Sequence, residues 1–196
     1  MKILLIDTSS DYLYVYLYDN KANKNIISKT MVTHNNHSEN LLPALTSALE
    51  ECNMELKDID EVVCGIGPGS YTGLRVGCVV GKMISYTLNK PIKTISSLLF
   101  CGSGKLVNGK YLIKMKAKKD YSYFMIASVS NGLLDIITPD SYNSDSYVNE
   151  IINSDKDLIV IDESLYEVNP ELIYKYSKTV TDVHSLSPNY LRSANQ

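Results

Sequence analysis

Residues 65–77 read GIGPGSYTGLRVG, and five of the thirteen are glycine, against ten in the whole chain. Glycine at this density serves a few purposes: a cradle of backbone N–H groups for phosphate, a sharp catalytic turn, or a surface that another backbone approaches closely. A Walker loop is GxxxxGK followed by Ser or Thr. This stretch holds no lysine, and the later CGSGKL places Leu106 after its GK and lacks the first glycine. A dinucleotide fingerprint is GxGxxG with an acid about 20 residues on. Gly65, Gly67 and Gly69 are spaced GxGxG, and no acid lies in that window. A nucleophile elbow is GxSxG. Ser70 has Gly69 before it, but the next glycine is Gly73, and His184 lies in a polar tail. Ser70 stands where a helix N-cap belongs.

Gly73, Gly77 and Gly81 recur every fourth residue within a predicted helix. Each mid-helix glycine costs about 1 kcal/mol relative to alanine, so the three cost roughly 3 kcal/mol. Close packing must offset that. The packing partner is the chain's own sheet, the helix carrying Ala44 and Ala48, or another subunit, and internal packing and an interface weigh equally.

These residues need elements to hold them. Ile3–Ile6 is an apolar run, and YLYVYLY (Tyr12–Tyr18) alternates strictly, with tyrosines on one face and Leu13, Val15 and Leu17 on the other. The two predict a hairpin about DTSSD, followed by a third strand over 25–32. HSENLLPALTSALEECN spaces Leu41, Leu42, Leu45 and Leu49 as a helix, capped by Asn36 or Ser38 and kinked at Pro43. A strand (62–66), a helix (70–88) and a brief strand (93–95) follow. CGSGKLVNG predicts a linker. Beyond it come strands over 110–116, 123–129 and 133–137, a helix over 147–152, a strand over 158–161 and a helix over 170–176. This is an α/β chain with mixed sheets.

Apolar residues make up 44% of the 196 and charged residues 21%, with a net charge of −3. There is no run of eighteen apolar residues, and the N-terminal apolar run is too short for a signal peptide, so a cytoplasmic protein is expected. Cys52, Cys64, Cys78 and Cys101 form no CxxC pair and predict reduced, buried thiols. From Val62 to Lys119 there is no Asp or Glu, yet ten residues are basic: Arg75, Lys82, Lys90, Lys93, Lys105, Lys110, Lys114, Lys116, Lys118 and Lys119. Such asymmetry fits an anionic partner, though a solvated face is the plainer reading.

ILLIDTSS, HSENLLPAL, GIGPGSYTGLRVG with SSL behind it, and PNYLR occur in that order. Together they resemble the TsaB (YeaZ) family, densely in the N-terminal half and thinly after it. The resemblance implies the actin-like, Hsp70-like ATPase fold, made of two ribonuclease-H-like subdomains. These are placed here at 1–103 and 104–196, with the polar tail free to return to the first. It implies a non-catalytic subunit that dimerises with a TsaD-type enzyme, joined by a TsaE-type ATPase, to form threonylcarbamoyl-adenosine (t6A) beside the anticodon of tRNA. It also implies a homodimer when the partner is absent, and tRNA met only through the complex. Leu41, Leu45, Leu49, Ser70, Tyr71, Gly73, Arg75, Gly77 and Gly81 become the expected interface, so Gly77→Leu is expected to abolish partner binding in a folded monomer. Asp7, Thr8 and Ser9 become a degenerate phosphate hairpin, since ATP-binding relatives carry glycine there. No cofactor and no metal are expected, and His34 and His37 are spaced HxxH rather than the HxxxH of the catalytic relative. Lys114, Lys116, Lys118 and Lys119 are candidate tRNA contacts. The alternative is a peptidase- or ATPase-like enzyme of the same fold acting alone.

Overall fold

The computed structural model describes residues 1–33 and 36–191. β1 (Lys2–Asp7) and β2 (Tyr12–Asp19) form the predicted hairpin, with Leu4 opposite Leu17 and Ile6 opposite Val15. β3 (Lys24–Val32) pairs antiparallel with β2. The chain crosses through α1 (His37–Glu51) to β4 (Glu61–Gly65), parallel to β1. It crosses again through α2 (Tyr71–Leu88) to β5 (Ile92–Ile95), parallel to β4. α1 runs unbroken through Pro43, and Asn36 stands at its cap without a side-chain hydrogen bond, so neither expected cap residue caps it from outside.

A buried helix, α3 (Ser97–Gly102), precedes and enters the predicted linker, which continues as a 3-10 turn, Ser103–Lys105, and a short connection to the next strand. Its glycines serve packing, not flexibility: Gly102 lies against Ile113 and Gly104 against Glu167. β6 (Gly109–Lys118), β7 (Tyr121–Ser130) and β8 (Leu133–Ser144) form an antiparallel meander. β8 runs well past the expected end, through Pro139. It is an edge strand, where a missing N–H is tolerated. α4 (Asp145–Ser154) leads to β9 (Leu158–Ile161), parallel to β6. α5 (Pro170–Tyr176) then delivers β10 (Lys178–Thr179) to the outer edge of β5. The first sheet thus has the order β10-β5-β4-β1-β2-β3, and the second β8-β7-β6-β9.

The alternation in β2 decides how the layers stack. Leu13, Val15 and Leu17 join Leu4 and Ile6 under α1 and α2, through Leu41, Leu45, Leu49 and Ile84. Tyr14 and Tyr18 face the other way, into a core shared with Phe100 of α3, Tyr111, Ile113 and Met125 of the second sheet, and Ile173 of α5. The outer face of the second sheet packs Phe124 and Ile126 on Val148 of α4. Burial of this extent, at about 25 cal/mol per Å² of apolar area, fixes the two sheets against each other.

Candidate functional site

The turn between β1 and β2 lies under the glycine-rich stretch. Asp7 is fully buried and accepts three hydrogen bonds: from Ser9 N–H (2.8 Å) and Ser9 Oγ (2.6 Å) on Oδ1, and from Ser97 Oγ (2.6 Å) on Oδ2. Burial pushes its carboxyl up from the ordinary range, while the Ser9 and Ser97 bonds oppose the shift. Ser97 Oγ in turn accepts from Gly67 N–H (2.9 Å), and Ser70 N–H donates to the Ser9 carbonyl (2.6 Å). Thr8 Oγ1 donates to the Gly73 carbonyl (2.7 Å). A β-carbon at Gly65 would overlap the Asp7 carboxylate, and one at Gly69 the Ser9 carbonyl. Gly67 also needs its φ of +112°, which side chains resist. The glycines therefore wrap the hairpin, and its carboxylate and the Ser9 N–H are consumed internally. Neither is turned toward a ligand.

The same packing explains the stripe on α2. A β-carbon at Gly73 would meet the Thr8 carbonyl, one at Gly77 the Thr8 hydroxyl, and one at Gly81 the Cys64 sulfur. Ser70 caps the helix by accepting from Gly73 N–H (3.3 Å). Gly73, Gly77, Gly81, Leu41, Leu45 and Leu49 are all buried. Of these six expected interface residues, Leu45 also reaches a surface groove between the two helices, and the others pack inward. In this chain they anchor α1 and α2 to the sheet, because the hairpin backbone and β4 lie too close for any larger residue. The outer face belongs to residues the interface expectation omitted: Leu42 (55% exposed), Val79 (53%), Met83 (61%) and Tyr86 (67%). Between α1 and α2 runs a groove of about 250 Å³, lined by Leu42, Leu45, Leu56, Val80, Met83 and Leu88 among others. A signal for this face was present. At 100° per residue, a position two beyond a glycine lies nearly opposite it, and Arg75, Val79 and Met83 are those positions.

Tyr71 and Arg75 start α2 in the open. Tyr71 packs on Tyr190 (centroids 4.8 Å apart), and Arg75 sits over the Tyr71 ring (4.3 Å) while its Nε donates to Tyr190 Oη (3.2 Å). This wall borders a cleft of about 310 Å³ between the two sheets, with Lys116 and Tyr123 opposite. Lys114 and Lys116 also line an adjoining, larger cleft with Ser122 and Asn149. Lys118 lies over the Tyr121 ring (4.8 Å).

Cys64, Cys78 and Cys101 are buried and Cys52 half-buried. Burial pushes the thiols of the first three up, so they resist ionising at neutral pH. Among the described residues no three His, Cys, Asp or Glu side chains gather as metal ligands. His34 lies outside those residues. His37 is buried, with Nδ1 on Thr33 Oγ1 (2.9 Å), and burial holds its pKa down against the Ser10 backbone and Asp11. His184 stands at Tyr86 (5.2 Å) on α2, with its carbonyl accepting from Lys82, while Ser70 is engaged as a cap. Among the described residues no helix is long and apolar enough to cross a membrane.

Residues 24–162 match the sequence model of the family described as TsaD, tRNA N6-adenosine threonylcarbamoyltransferase. The chain is 29% identical to the tRNA threonylcarbamoyladenosine biosynthesis protein TsaB of Bacillus subtilis, across 99% of this chain and 95% of that protein. It is 32% identical to the tRNA N6-adenosine threonylcarbamoyltransferase of Persephonella marina over 47% of this chain, which spans only 31% of that enzyme. Among solved structures, YeaZ from Pseudomonas aeruginosa superposes with a TM-score of 0.78 at 19% identity, covering 97% of this chain and 99% of that one. This likeness gives the fold, the actin-like, ribonuclease-H-like α/β architecture.

Proposed function

The chain belongs to the TsaD family of tRNA N6-adenosine threonylcarbamoyltransferase sequences, and from that premise we propose that it is the TsaB-type accessory subunit in t6A formation on tRNA. Its near-complete alignment with a TsaB, against a third of a TsaD enzyme's length, supports the accessory role over the catalytic one. The observation that carries the reading is the apolar outer face of α1 and α2. Val79 and Met83 stand exposed beside the groove, while the glycines behind them hold α2 on the sheet. Exposed aliphatic residues grouped along two helices mark a docking surface.

The occupant of that surface is a TsaD-type subunit. The family match includes both helices, so such a partner carries an equivalent pair, and two like faces meet about a pseudo-two-fold axis. Without that partner, a second copy of this chain takes its place. A TsaE-type ATPase completes the assembly, in the cytoplasm, with 1–103 and 104–196 as two subdomains, the end of the second returning to the first. Chemistry by this chain alone is not supported: Asp7 already accepts bonds from Ser9 and Ser97.

Met83→Glu tests the reading. Light-scattering mass should show the wild-type chain forming a one-to-one complex with the TsaD-type subunit of the same cell, and the variant remaining apart from it with unchanged circular dichroism. A Met83→Glu chain that binds as well as wild type would remove this face from the interface.

A further inference from the structure

The acid-free, ten-base segment sorts itself in the folded chain. Lys93 pairs with Glu61 (3.6 Å), Lys110 with Asp155 (2.6 Å) and Lys105 with Glu167. Lys82 donates to the carbonyls of His184 and Leu186, and Arg75 to Tyr190. The partners all come from outside the segment. Besides Lys82, five lysines of the segment have no ion pair among the described residues, and four of them fall on one hairpin, β6–β7: Lys114, Lys116, Lys118 and Lys119. Lys114 and Lys116 alternate along β6, so their attachment points are about 6.7 Å apart. Past a bulge at Ala117 the last two stand exposed at the tip.

Aromatic rings flank this charge. Tyr121, under Lys118, stacks on Tyr142 (5.1 Å, 13° between planes). Across the cleft stands the Tyr71–Tyr190 pair with Arg75. Acids are present too: Asp120 at the tip, Asp162 facing Lys114, and Asp11 and Glu163 on the cleft walls. Glu163 is held by the Lys116 N–H (3.0 Å). A purely electrostatic partner, such as an acidic protein segment, would gain nothing from the rings and would be repelled by the acids. An unpaired nucleotide uses all three: lysines take phosphates, rings and the guanidinium take base faces, and carboxylates accept from amino edges.

We infer that the β6–β7 hairpin and the Tyr71–Tyr190 wall form a contact surface for a single-stranded RNA loop, with one unstacked nucleoside seated in the cleft between them. The inference rests on the accessory-subunit reading and assigns this subunit its own share of the RNA. A mononucleotide shares the base chemistry but has no use for lysines reaching to the hairpin tip.

The test uses the assembled complex with the TsaD-type subunit, its mass checked first by light scattering. Failure to assemble counts against the accessory role, and only assembled complexes enter the RNA measurement. Binding of a labelled, unmodified tRNA transcript is titrated from 50 to 200 mM salt. K116E/K118E/K119E should weaken binding by roughly tenfold or more at the low end. It should also flatten the logarithmic salt slope by about 2, from three lost phosphate contacts at about 0.7 each. The control K21E/K24E/K156E carries the same change in charge at exposed sites elsewhere, and it should leave both nearly unchanged. Tyr190→Ala should weaken binding on the order of tenfold at every salt concentration, and Tyr190→Phe should restore most of it. Equal losses in the control and hairpin triples, or wild-type affinity and slope in the hairpin triple, would overturn the inference. So would AMP binding in the cleft with no effect of either variant on the transcript.

Discussion

Gly73 has no side chain because the Thr8 carbonyl occupies the place one would take. Backbone cannot swing aside as a long side chain can, so Gly73→Ala should lower the free energy of unfolding by about 2 kcal/mol or more. Gly132 is the comparison. Nothing lies within 4 Å of a β-carbon there, and only its φ of +74° resists alanine, at about 1 kcal/mol. Urea melts of the two variants should rank in that order, and an unshifted midpoint for Gly73→Ala would contradict the packing. Gly77→Leu, expected from the sequence to spare the monomer, faces the Thr8 hydroxyl and should unfold it instead. The four-residue spacing located the stripe but could not say what it faced. That depends on how α2 lies across the β1–β2 turn, a relation between residues far apart in the chain. The open positions two beyond each glycine were legible all along from helix geometry.

At the scale of elements, β8, α3 and the segment after β10 are tied at Asp140. It accepts from Ser96 Oγ (2.6 Å) and Asn189 Nδ2 (3.4 Å), and burial pushes its carboxyl up to about 6. A folded pKa above the unfolded value near 3.8 means that the folded chain holds the proton more tightly. This contribution to stability is fully present below about pH 3.8 and is lost as pH rises through about 6. His37 acts in the opposite direction, since its pKa is lowered and protonation below about 6.5 opposes folding. The Asp140 share is isolated by comparing Asp140→Asn with wild type at each pH. The melting temperature of the variant relative to wild type should climb between pH 4 and 6.5, and a constant difference would sink the assignment. Most elements were legible, because alternation in β2 and glycine spacing in α2 are strong signals. α3 was not, because its glycines look like those of a linker until Ile113 is known to lie against one of them.

At the scale of the whole molecule, the first sheet takes its last strand from beyond the second sheet. β10 pairs with β5, Lys82 Nζ holds the His184 and Leu186 carbonyls (3.0 Å each), and Asn189 N–H donates to the Ile66 carbonyl (2.7 Å). Dividing the chain at residue 103 therefore gives the second half a strand that the first half uses. Two residues of strand have no readable period, so the sequence could place the polar tail at the surface but not on a particular edge. Lys82→Ala should cost about 1–2 kcal/mol and open the stretch around 181–187 to limited proteolysis. A digestion pattern identical to wild type would show that the strap holds without it.

That strap bears on how the protein is made. The loop at Ile66, from which α2 departs, receives its Asn189 contact only when much later residues have been translated. At about 5–20 residues per second, this comes on the order of ten seconds after the loop itself. During that interval the glycine helix lacks its flank, and its outer apolar face stands open on a half-made chain. Val79 and Met83, on the face proposed to meet a partner, are exposed in the finished chain and are uncovered at the ribosome too. If that face is the interface, a substitution that makes it more polar should ease aggregation during synthesis at the expense of partner affinity.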